Sequence, residues 1–558
     1  MITRTTVFAV VMTMLSDFLL AQNHPAVDLV LTHAKIWTGD KAIPAAEALA
    51  IIGDRIVAVG SAKEIEQWRG DATKVVDLHG QRVVPGFNDA HVHFVDGGRQ
   101  LDNVQLKDAT TVQEVARRIG EQARKIRAGE WILGGDWDDQ QWNPAVLPTK
   151  ELIDPVTLDT PVFVSRYDGH MGLANSVALR LAGITAATKD PPGGAIVRDA
   201  QGNPTGALKD AAMNFVLRVV PPMTHEQRLQ AIKRALEHAR SVGVTSVQHM
   251  NPPFEDVAAY AELAAQGALT TRIYAAPMET DWEDQAKIGI NRAFGSSYLR
   301  IGAVKGYADG SLGSSTAYFF EPYSDNPGNR GLLSDEMQPI DGMRKRLVGA
   351  DKAGLQLCVH AIGDAAISQV LDLFADVVRA NGPRDRRLRI EHAQHMAAKD
   401  FDRFAQMQVI ASMQPYHAID DGRWAEKRIG PERIKTTYAF RTFLDRGVHL
   451  AFGTDWNVAP LNPMLTLYAA TTRATLDGKH PEGWVPEQKI SLEEALTAYT
   501  AGSAYAEFQE KEKGKLARGM LADLVVLNED IFAIPPERLK EVKVALTMTG
   551  GKVVFQAE

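Results

Sequence analysis

Cysteine is nearly absent from this chain: Cys358 is the only one among 558 residues. A single cysteine excludes an internal disulfide framework, although it neither supports nor excludes an oxidising compartment. Cys358 lies in the apolar stretch LQLCVHAIGD, which predicts a small buried side chain on a strand.

A surplus of basic residues is also missing. Lys and Arg total 61 against 69 Asp and Glu, which gives a net charge of −8, and no Lys/Arg block is present. This charge pattern argues against nucleic acid as a partner. We expect a small-molecule substrate instead. Homo-oligomerisation stays open, because the sequence identifies no strong apolar surface stripe.

Long hydrophobic runs are confined to the N-terminus. Residues 1–21 combine Arg4, an apolar stretch over 7–20 and a small residue, Ala21. This pattern resembles a signal peptide cleaved after Ala21, which predicts an exported, periplasmic or secreted, protein. Asp17 interrupts the apolar stretch, so a cytoplasmic protein with a non-functional leader stays an alternative. No later segment reaches roughly 18 uninterrupted apolar residues, so no stable membrane span is expected after leader removal.

Short β-type segments with turn residues lie at both ends of the chain. They include ALAIIGDRIVAVGS near the N-terminus and VKVALTMTGGKVVF near the C-terminus. We expect the two sets to pair into one small composite β-sandwich domain, built from residues 22–84 and 510–558.

Residues 85–509 alternate apolar strands with amphipathic helices, which predicts an α/β fold with a parallel sheet covered by helices. Counting VVPGFNDAHVH as the first strand gives eight strands, the number of a (β/α)8 TIM barrel whose active site lies at the carboxyl ends. The other predicted strands are 243–250, 271–278, 299–309, 355–363, 388–394, 409–415 and 448–456. About 150 residues separate the first two strands, too many for one crossover. This predicts an inserted α+β subdomain at about residues 100–222.

The stretch VVPGFNDAHVHF, residues 83–94, carries two histidines separated by one residue. Side chains two positions apart on a strand project to the same side, so His91 and His93 are expected to lie together. Neighbouring imidazoles suit a shared metal ion. Solvated histidines at an ordinary strand end are the alternative.

Further polar residues lie near the carboxyl ends of other predicted strands. Lys305 interrupts the apolar run IGAVKGYADG, and His360 ends the fifth strand. His392 ends the sixth strand and Asp455 the eighth. Singly, each residue fits a hydrogen-bonded strand end, an ion pair or a cap. Together, these nitrogen and oxygen donors form a rim that suits one or two divalent metals of the zinc type.

The motifs resemble the amidohydrolase superfamily of metal-dependent barrel hydrolases. The insertion after the first motif is similar to amidohydrolase family 3, which includes N-substituted formamide deformylases. The resemblance runs from about residue 27 to 550 and rests on ordered stretches. These are VVPGFNDAHVH, RYDGHMGLANSVAL, PPGGAIVRDAQGNPTGALKD, VKGYADGSLGSSTA, VHAIGD, RIEHAQ, MQPYH, GTDW and GKLARGMLADLVVLN.

The resemblance implies a division of metal ligands. His91 and His93 would bind one metal, which Asp455 would also contact. A second metal would be held by His360 and His392. Lys305 would bridge the two as a carboxylated lysine, because carbon dioxide converts an otherwise cationic side chain into an anionic carbamate. Zn2+ is the favoured metal, and whether one or two ions bind stays open.

The expected reaction is hydrolysis of a non-peptide carbon–nitrogen bond by metal-activated hydroxide. Asp455 would take the proton of the hydroxide and pass it to the leaving nitrogen. A metal-dependent deaminase or a C–O bond hydrolase uses the same attack, although adenosine-type deaminases lack the bridging lysine. A non-catalytic binding or regulatory protein on the same barrel is the alternative from another class.

Residues outside the metal ligands are expected to contact the substrate. Asp168, His170 and Asn175 of DGHMGLAN match a family stretch at the barrel mouth, and His170 is the favoured contact. His417 of MQPYH and Trp456 of GTDW are further candidates.

The segment GGDWDDQQW carries two more aromatic residues and several acids. Trp137 and Trp142 fit an aromatic wall of the pocket or, slightly better, packing within the insertion. Asp136, Asp138 and Asp139 are expected in a solvated loop, with a second metal site as the weaker alternative.

Overall fold

The computed structural model describes residues 25–127 and 129–558, which form a mixed α/β fold. The predicted leader, residues 1–21, lies outside the described residues. Among the helices that are described, none is both long enough and apolar enough to cross a bilayer.

The N-terminal segment is mostly β-structure. Its strands are β1 (Leu29–Thr32), β2 (Lys35–Trp37), β3 (Ala45–Ala46), β4 (Ala48–Ile52), β5 (Arg55–Gly60), β6 (Lys74–Asp77) and β7 (Arg82–Pro85), with one helix, α1 (Ala62–Glu66). Ser61 caps α1 with a capping box. Its side chain accepts from the Glu64 backbone N–H, and the Glu64 carboxylate accepts from the Ser61 backbone N–H. Strands β5, β4, β1 and β6 form one sheet in that order.

The first central strand and the insertion follow. They comprise β8 (Phe87–Val92), α2 (Phe94–Gln100), α3 (Val112–Ala123), β9 (Ile132–Trp137), α4 (Lys150–Thr157), β10 (Val162–Arg166), β11 (Met171–Ala174), α5 (Ser176–Leu181), β12 (Gly194–Arg198), β13 (Pro204–Asp210) and α6 (Asn214–Leu217). Strands β12, β13, β11, β10 and β9 form a separate sheet, so the insertion has its own strands and helices.

The remaining central strands are β14 (Val244–Met250), β15 (Arg272–Ala276), β16 (Phe294–Gly295), β17 (Leu299–Ile301), β18 (Ala303–Tyr307), β19 (Gln356–Ala361), β20 (Arg389–His392), β21 (Ile410–Met413) and β22 (Leu450–Phe452). Strands β8, β14, β15 and β17 pair in parallel in that order. Strands β18 to β22 form a second parallel series. Two isolated parallel bridges connect the series, Met278 with Lys305 and Val92 with Trp456.

Helices alternate with these strands. They are α7 (His225–Ser241), α8 (Phe254–Ala265), α9 (Trp282–Lys287), α10 (Ile340–Lys352), α11 (Asp364–Asn381), α12 (Phe401–Met407), α13 (Pro415–Asp421), α14 (Ala425–Arg433), α15 (Phe440–Asp445), α16 (Pro463–Thr472), α17 (Leu492–Thr497) and α18 (Ser503–Ala506). The largest apolar core joins strand residues such as Val359 to helix residues such as Leu347 and Phe374. Burial of both sheet faces explains why these strands are continuously apolar.

One predicted strand is two strands in the structure. The sequence predicts a single strand over 299–309, whereas β17 and β18 are separated by Gly302. Gly302 has a φ of +119°, and a Cβ there would lie 2.0 Å from the carbonyl oxygen of Asn291. Only glycine fits this conformation and this close approach, so the strand is interrupted at that point.

The C-terminal strands return to the N-terminal segment. They are β23 (Leu524–Leu527), β24 (Val544–Thr549) and β25 (Lys552–Gln556), and they continue the sheet in the order β25, β24, β23, β7, β2 and β3. An apolar cluster joins Leu31 and Ile51 of the first sheet to Val83 and Val526 of this one. Within the described residues, strands of the N-terminal and C-terminal segments therefore share one sheet, while the predicted domain boundaries stay predictions.

A buried ion pair fastens this terminal sheet to the central strands. Arg272 of β15 donates from Nε and Nη2 to the two carboxylate oxygens of Asp523, at 2.7 and 2.8 Å. Both side chains are at most 4% exposed. Removing one member of such a pair leaves an uncompensated charge in the interior.

We therefore predict that Asp523→Ala lowers the free energy of unfolding by about 3–5 kcal/mol. The matched control is Asp402→Ala, which removes an exposed partner of Arg446 and should cost about 0–1 kcal/mol. Urea unfolding followed by tryptophan fluorescence measures both. Equal midpoints for the two variants would contradict the prediction.

Candidate metal centre

The residues predicted as metal ligands converge in the structure. They lie at the carboxyl ends of neighbouring parallel strands or just after them: His91 and His93 at β8, Lys305 on β18, His360 on β19, His392 on β20 and Asp455 after β22. Apart from His93, which is partly exposed, all of them are buried. Parallel strands place their carboxyl ends side by side, which is why residues far apart in sequence meet here.

The first group of donors consists of His91, His93 and Asp455. The Asp455 Oδ1 atom lies 3.1 Å from His93 Nε2 and 3.5 Å from His91 Nε2. One donor atom from each residue can be chosen so that all lie within 4.8 Å of one another. Two imidazoles and a carboxylate are a typical ligand set for a zinc-type ion.

A second group shares Asp455 with His392 and His417, again with donor atoms within 4.8 Å of one another. His417 lies at the start of α13, and its Nε2 is 4.0 Å from Asp455 Oδ2. The sequence predicts His417 as a substrate contact, whereas its position also allows it to bind a metal. The proximity of β20 and the β21–α13 junction explains this placement.

His360 and Lys305 complete the cluster. The rings of His360 and His392 are 4.5 Å apart between centroids. The Nε2 atom of His360 donates to the carbonyl oxygen of Gly310 at 3.2 Å, which leaves Nδ1 as its remaining ring nitrogen. Lys305 Nζ lies 3.4 Å from His91 Nε2. Both residues are thus within the cluster, although neither belongs to the two tighter groups.

Backbone strain accompanies two of these residues. His392 has a φ of +71° and Asp455 a φ of +60°. Residues other than glycine rarely adopt this left-handed conformation, and such strain is concentrated at functional sites. The two strained residues lie at the end of β20 and shortly after β22, where the chain leaves the strands at the cluster.

Burial sets the protonation states of the cluster. Burial, followed by the charge of Lys305, lowers the pKa of His91 to about 4. Burial also lowers the pKa of His392 well below its usual value. Burial alone would raise the pKa of Asp455, but the His91 and His93 imidazoles hold it well below its usual range. These directions favour neutral imidazoles at His91 and His392 and an ionised carboxylate at Asp455 near neutral pH, the forms that bind metals.

Sequence reasoning missed Glu391 and Arg389 of β20. Glu391 Oε2 accepts from His91 Nδ1 at 2.7 Å, and Glu391 Oε1 lies 2.8 Å from Arg389 Nε. All three side chains are fully buried. The signal was present in RIEH, because two opposite charges two positions apart on an apolar strand must face the same side and pair.

Asp89 is a second missed residue, two positions before His91. Its carboxylate accepts from the Thr454 backbone and hydroxyl and from the Tyr499 hydroxyl, at 2.7–3.1 Å. Asp89 therefore holds the segment before Asp455 against β8. Burial raises its pKa to about 6 despite these bonds.

A cavity of about 600 Å³ opens above the cluster, and the insertion supplies part of its wall. His170 and Asp168, both predicted as substrate contacts, line it, as does His417. His170 Nδ1 is 2.7 Å from Asp210 Oδ1, and its ring centroid is 5.1 Å from that of His360. The Asp168 carboxylate accepts from Arg166 Nη1 at 2.6 Å.

Two predicted substrate contacts lie elsewhere. Asn175 is fully buried at the N-terminus of α5, where its side chain bonds the backbone of Val162 and Ala178. Its amide is used in capping, so it does not face the cavity. Trp456 is buried and packs against Phe94, and it is not among the residues that line the cavity. A role of either residue in substrate binding therefore stays a prediction.

The GGDWDDQQW segment also differs from one expectation. Trp137 and Trp142 are buried in the apolar core of the insertion, in keeping with the packing interpretation and not with an aromatic wall. Asp138 and Asp139 are buried instead of solvated, because Arg423 and Arg166 compensate them at 3.0 and 2.8 Å. Asp136 is likewise only 5% exposed.

The cluster fits a divalent metal. Asp455 Oδ1, His392 Nδ1 and His417 Nε2 are buried atoms without a hydrogen-bond partner. Buried polar atoms of proteins normally have a hydrogen-bond partner. Three neighbouring lone-pair atoms without such a partner therefore indicate that a cation can bind among them. Imidazole and carboxylate atoms are ligands for a zinc-type ion.

Comparisons with known proteins agree with this geometry. A family model described as the amidohydrolase family matches residues 74–555. Protein LONG AFTER FAR-RED 3 of Arabidopsis thaliana is 38% identical, covering 95% of this chain and 91% of the relative. The N-substituted formamide deformylase of Arthrobacter pascens is 27% identical, covering 95% of this chain and 98% of the relative.

A solved structure gives the same result. The crystal structure of an uncharacterized metal-dependent hydrolase from Pyrococcus horikoshii OT3 has a TM-score of 0.74 and 29% identity, covering 91% of this chain and 99% of that one. The family match spans the central strands and most of the terminal sheet. The predicted resemblance is confirmed, and the chain belongs to the amidohydrolase family.

Proposed function

We propose that this chain is a metal-dependent hydrolase that cleaves a non-peptide carbon–nitrogen bond of a small molecule. The observation that carries the proposal is the cluster of buried imidazoles around Asp455, with orphaned donor atoms, at one end of the cavity. The amidohydrolase family membership supports hydrolysis over a purely structural role for the cluster.

The metal would be held by His91, His93 and Asp455, the group with the shortest separations. A second ion would be held on the side of His392, with His360 or His417. When bound, a divalent cation supplies Lewis acidity and allows water to ionise near neutral pH. Zn2+ fits the nitrogen-rich donor set best.

Asp455 is the proton carrier in this proposal. Its pKa lies well below its usual range, so its carboxylate is ionised near neutral pH. It can therefore accept a proton from the attacking water and donate it to the leaving nitrogen, which leaves as a neutral amine. The buried position of Asp455 keeps bulk water from competing for that proton.

Lys305 is the proposed bridge. The side chain is 1% exposed, and burial lowers the pKa of its ammonium group. A neutral amine can add carbon dioxide and release one proton. The product is an anionic carbamate with two oxygens, so the side chain would carry a negative charge in place of the positive charge of the ammonium group. Lys305 Nζ lies 3.4 Å from His91 Nε2, so the carbamate would form beside the proposed ligands.

Substrate binding is assigned to the cavity wall above the cluster. His170 faces the cavity from the insertion, and Asp210 fixes its ring. A volume of about 600 Å³ suits a small organic molecule and not a folded protein chain. Similarity to an N-substituted formamide deformylase favours N-formyl and N-acyl compounds as the first candidates.

We also infer that the central strands close into a (β/α)8 barrel. The two bridges between the parallel series, at Lys305 and at Val92, support closure, because they leave no free edge between β15 and β18 or between β22 and β8. Closure would explain how donors from β8 and β22 reach the same point.

The function is tested by screening the Zn2+-loaded protein against N-formyl, N-acyl and cyclic amides and detecting the released amine. We expect turnover of at least one class, its loss on chelation and its return with Zn2+. Turnover confined to amino-substituted heterocycles or esters would instead identify a deaminase or a C–O hydrolase. Ligand binding unchanged by chelation, without turnover, would identify a binding protein.

The ligand assignment predicts that His91→Ala lowers the metal content of the purified protein. His225→Ala is the matched control, because His225 is 61% exposed and pairs only with Glu262 among the described residues. Elemental analysis after dialysis against Zn2+ measures both. Full metal occupancy in the His91 variant would show that the assignment is wrong.

The proton-carrier role predicts that Asp455→Asn retains metal but reduces kcat by about 10²–10⁴-fold. The amide still offers an oxygen to the metal but cannot accept a proton. Metal content and kcat are measured on the best substrate of the screen. A kcat equal to that of the wild type would refute this role of Asp455.

A further inference from the structure

A buried polar network crosses the space between the two series of parallel strands. Arg389 of β20 donates from Nη2 to the carbonyl oxygen of Ala90 on β8, at 2.8 Å, and to the hydroxyl of Ser412 on β21, at 3.1 Å. Its Nη1 donates to Gln248 Oε1 on β14. Four strands of the interior therefore meet at one guanidinium.

The network continues in both directions. Gln248 Nε2 donates to the carbonyl oxygen of Ser503 on α18, at 2.8 Å. On the other side, Arg389 pairs with Glu391, and Glu391 accepts from His91 Nδ1 at 2.7 Å. We call the set Ser503, Gln248, Arg389, Glu391 and His91 the interior network. It runs from a helix beyond the amino ends of the strands to the candidate metal centre.

The hydrogen bond from His91 to Glu391 fixes the tautomer of the imidazole. A carboxylate accepts and cannot donate, so the proton of a neutral His91 ring lies on Nδ1. The unprotonated Nε2 then faces Asp455 and Lys305, at 3.5 and 3.4 Å. Nε2 is therefore presented as a lone pair, the form that a metal requires.

The Glu391 carboxylate is itself held rigidly. Arg389 contacts Glu391, and three further oxygen partners on neighbouring strands, from Gln248, Ala90 and Ser412, hold the guanidinium in place. Burying two charges is costly, and a single misplaced partner would leave an uncompensated charge. Because this destabilising arrangement lies next to His91, a proposed metal ligand, it indicates a role in the metal centre as well as in folding.

We infer that Glu391 and Arg389 are positioning residues that set the tautomer and orientation of His91 and thereby the affinity of the metal centre. The inference rests on the proposed metal site. It predicts that metal binding depends on Glu391 even though Glu391 cannot reach the metal past the His91 ring.

The test compares Glu391→Gln and Glu391→Asp with the wild type. The glutamine removes the charge, and the shorter aspartate keeps the charge but withdraws it from His91. Both should weaken Zn2+ binding by about 10–100-fold, measured by competition with a chromophoric chelator. With Co2+ as the probe, the visible absorption spectrum should change shape, because the orientation of one ligand has changed.

The matched control is Glu507→Gln. Glu507 is buried like Glu391, at 1% exposed, and lies 2.9 Å from Lys513 Nζ, but among the described residues it touches no candidate ligand. Its removal should lower the melting temperature of the metal-free protein while leaving the Zn2+ affinity and the Co2+ spectrum unchanged. A loss of metal affinity in this control equal to that in the Glu391 variants would overturn the inference, because general destabilisation would then suffice.

A double-mutant cycle separates positioning from folding. In the His91→Ala background, Glu391→Gln should weaken Zn2+ binding by less than twofold further, since its effect passes through His91. An undiminished additional loss would overturn the inference. If Glu391→Gln does not fold, Glu391→Asp decides: affinity and spectrum equal to the wild type would overturn it. Absence of Zn2+ binding in the wild type would refute the metal site itself.

Discussion

Parallel pairing of β8, β14 and β15 on one side and β18 to β22 on the other places their carboxyl ends at a common level. That constraint brings residues as distant in sequence as His91 and Asp455 to within 3.5 Å. The helices keep water from the sheet faces, so the polar groups at the strand ends lie in a partly enclosed space. Their donor character and pKa values follow from this burial.

Burial also dictates what surrounds the ligands. A charge inside the strands persists only when it is paired and hydrogen-bonded. Arg389 and Glu391 satisfy one another and hold His91, Asp89 holds Thr454, and Arg272 with Asp523 joins the terminal sheet to β15. The atoms of Asp455, His392 and His417 that lack a hydrogen-bond partner are informative because they lie together in one group of possible metal ligands.

Much of this arrangement could be predicted from local patterns. Alternation along strands placed His91 and His93 together, and strand ends identified Lys305, His360 and His392. Tertiary contacts were not predictable in the same way. Asn175 lies in a motif near the cavity, but its side-chain oxygen accepts from the backbone N–H of Ala178 as a helix cap. The acids after Trp137 were predicted to be solvated. Their arginine partners lie on β10 and after α13, so the local sequence does not show that these acids are paired and buried.

The central claim is that these side chains bind a divalent cation. The most direct measurement is a crystal structure of the Zn2+-loaded protein with anomalous diffraction recorded above and below the zinc absorption edge. The account predicts an anomalous peak about 2.0–2.2 Å from the His91 and His93 nitrogens and from an Asp455 oxygen. A peak elsewhere, or none at saturating Zn2+, would contradict it.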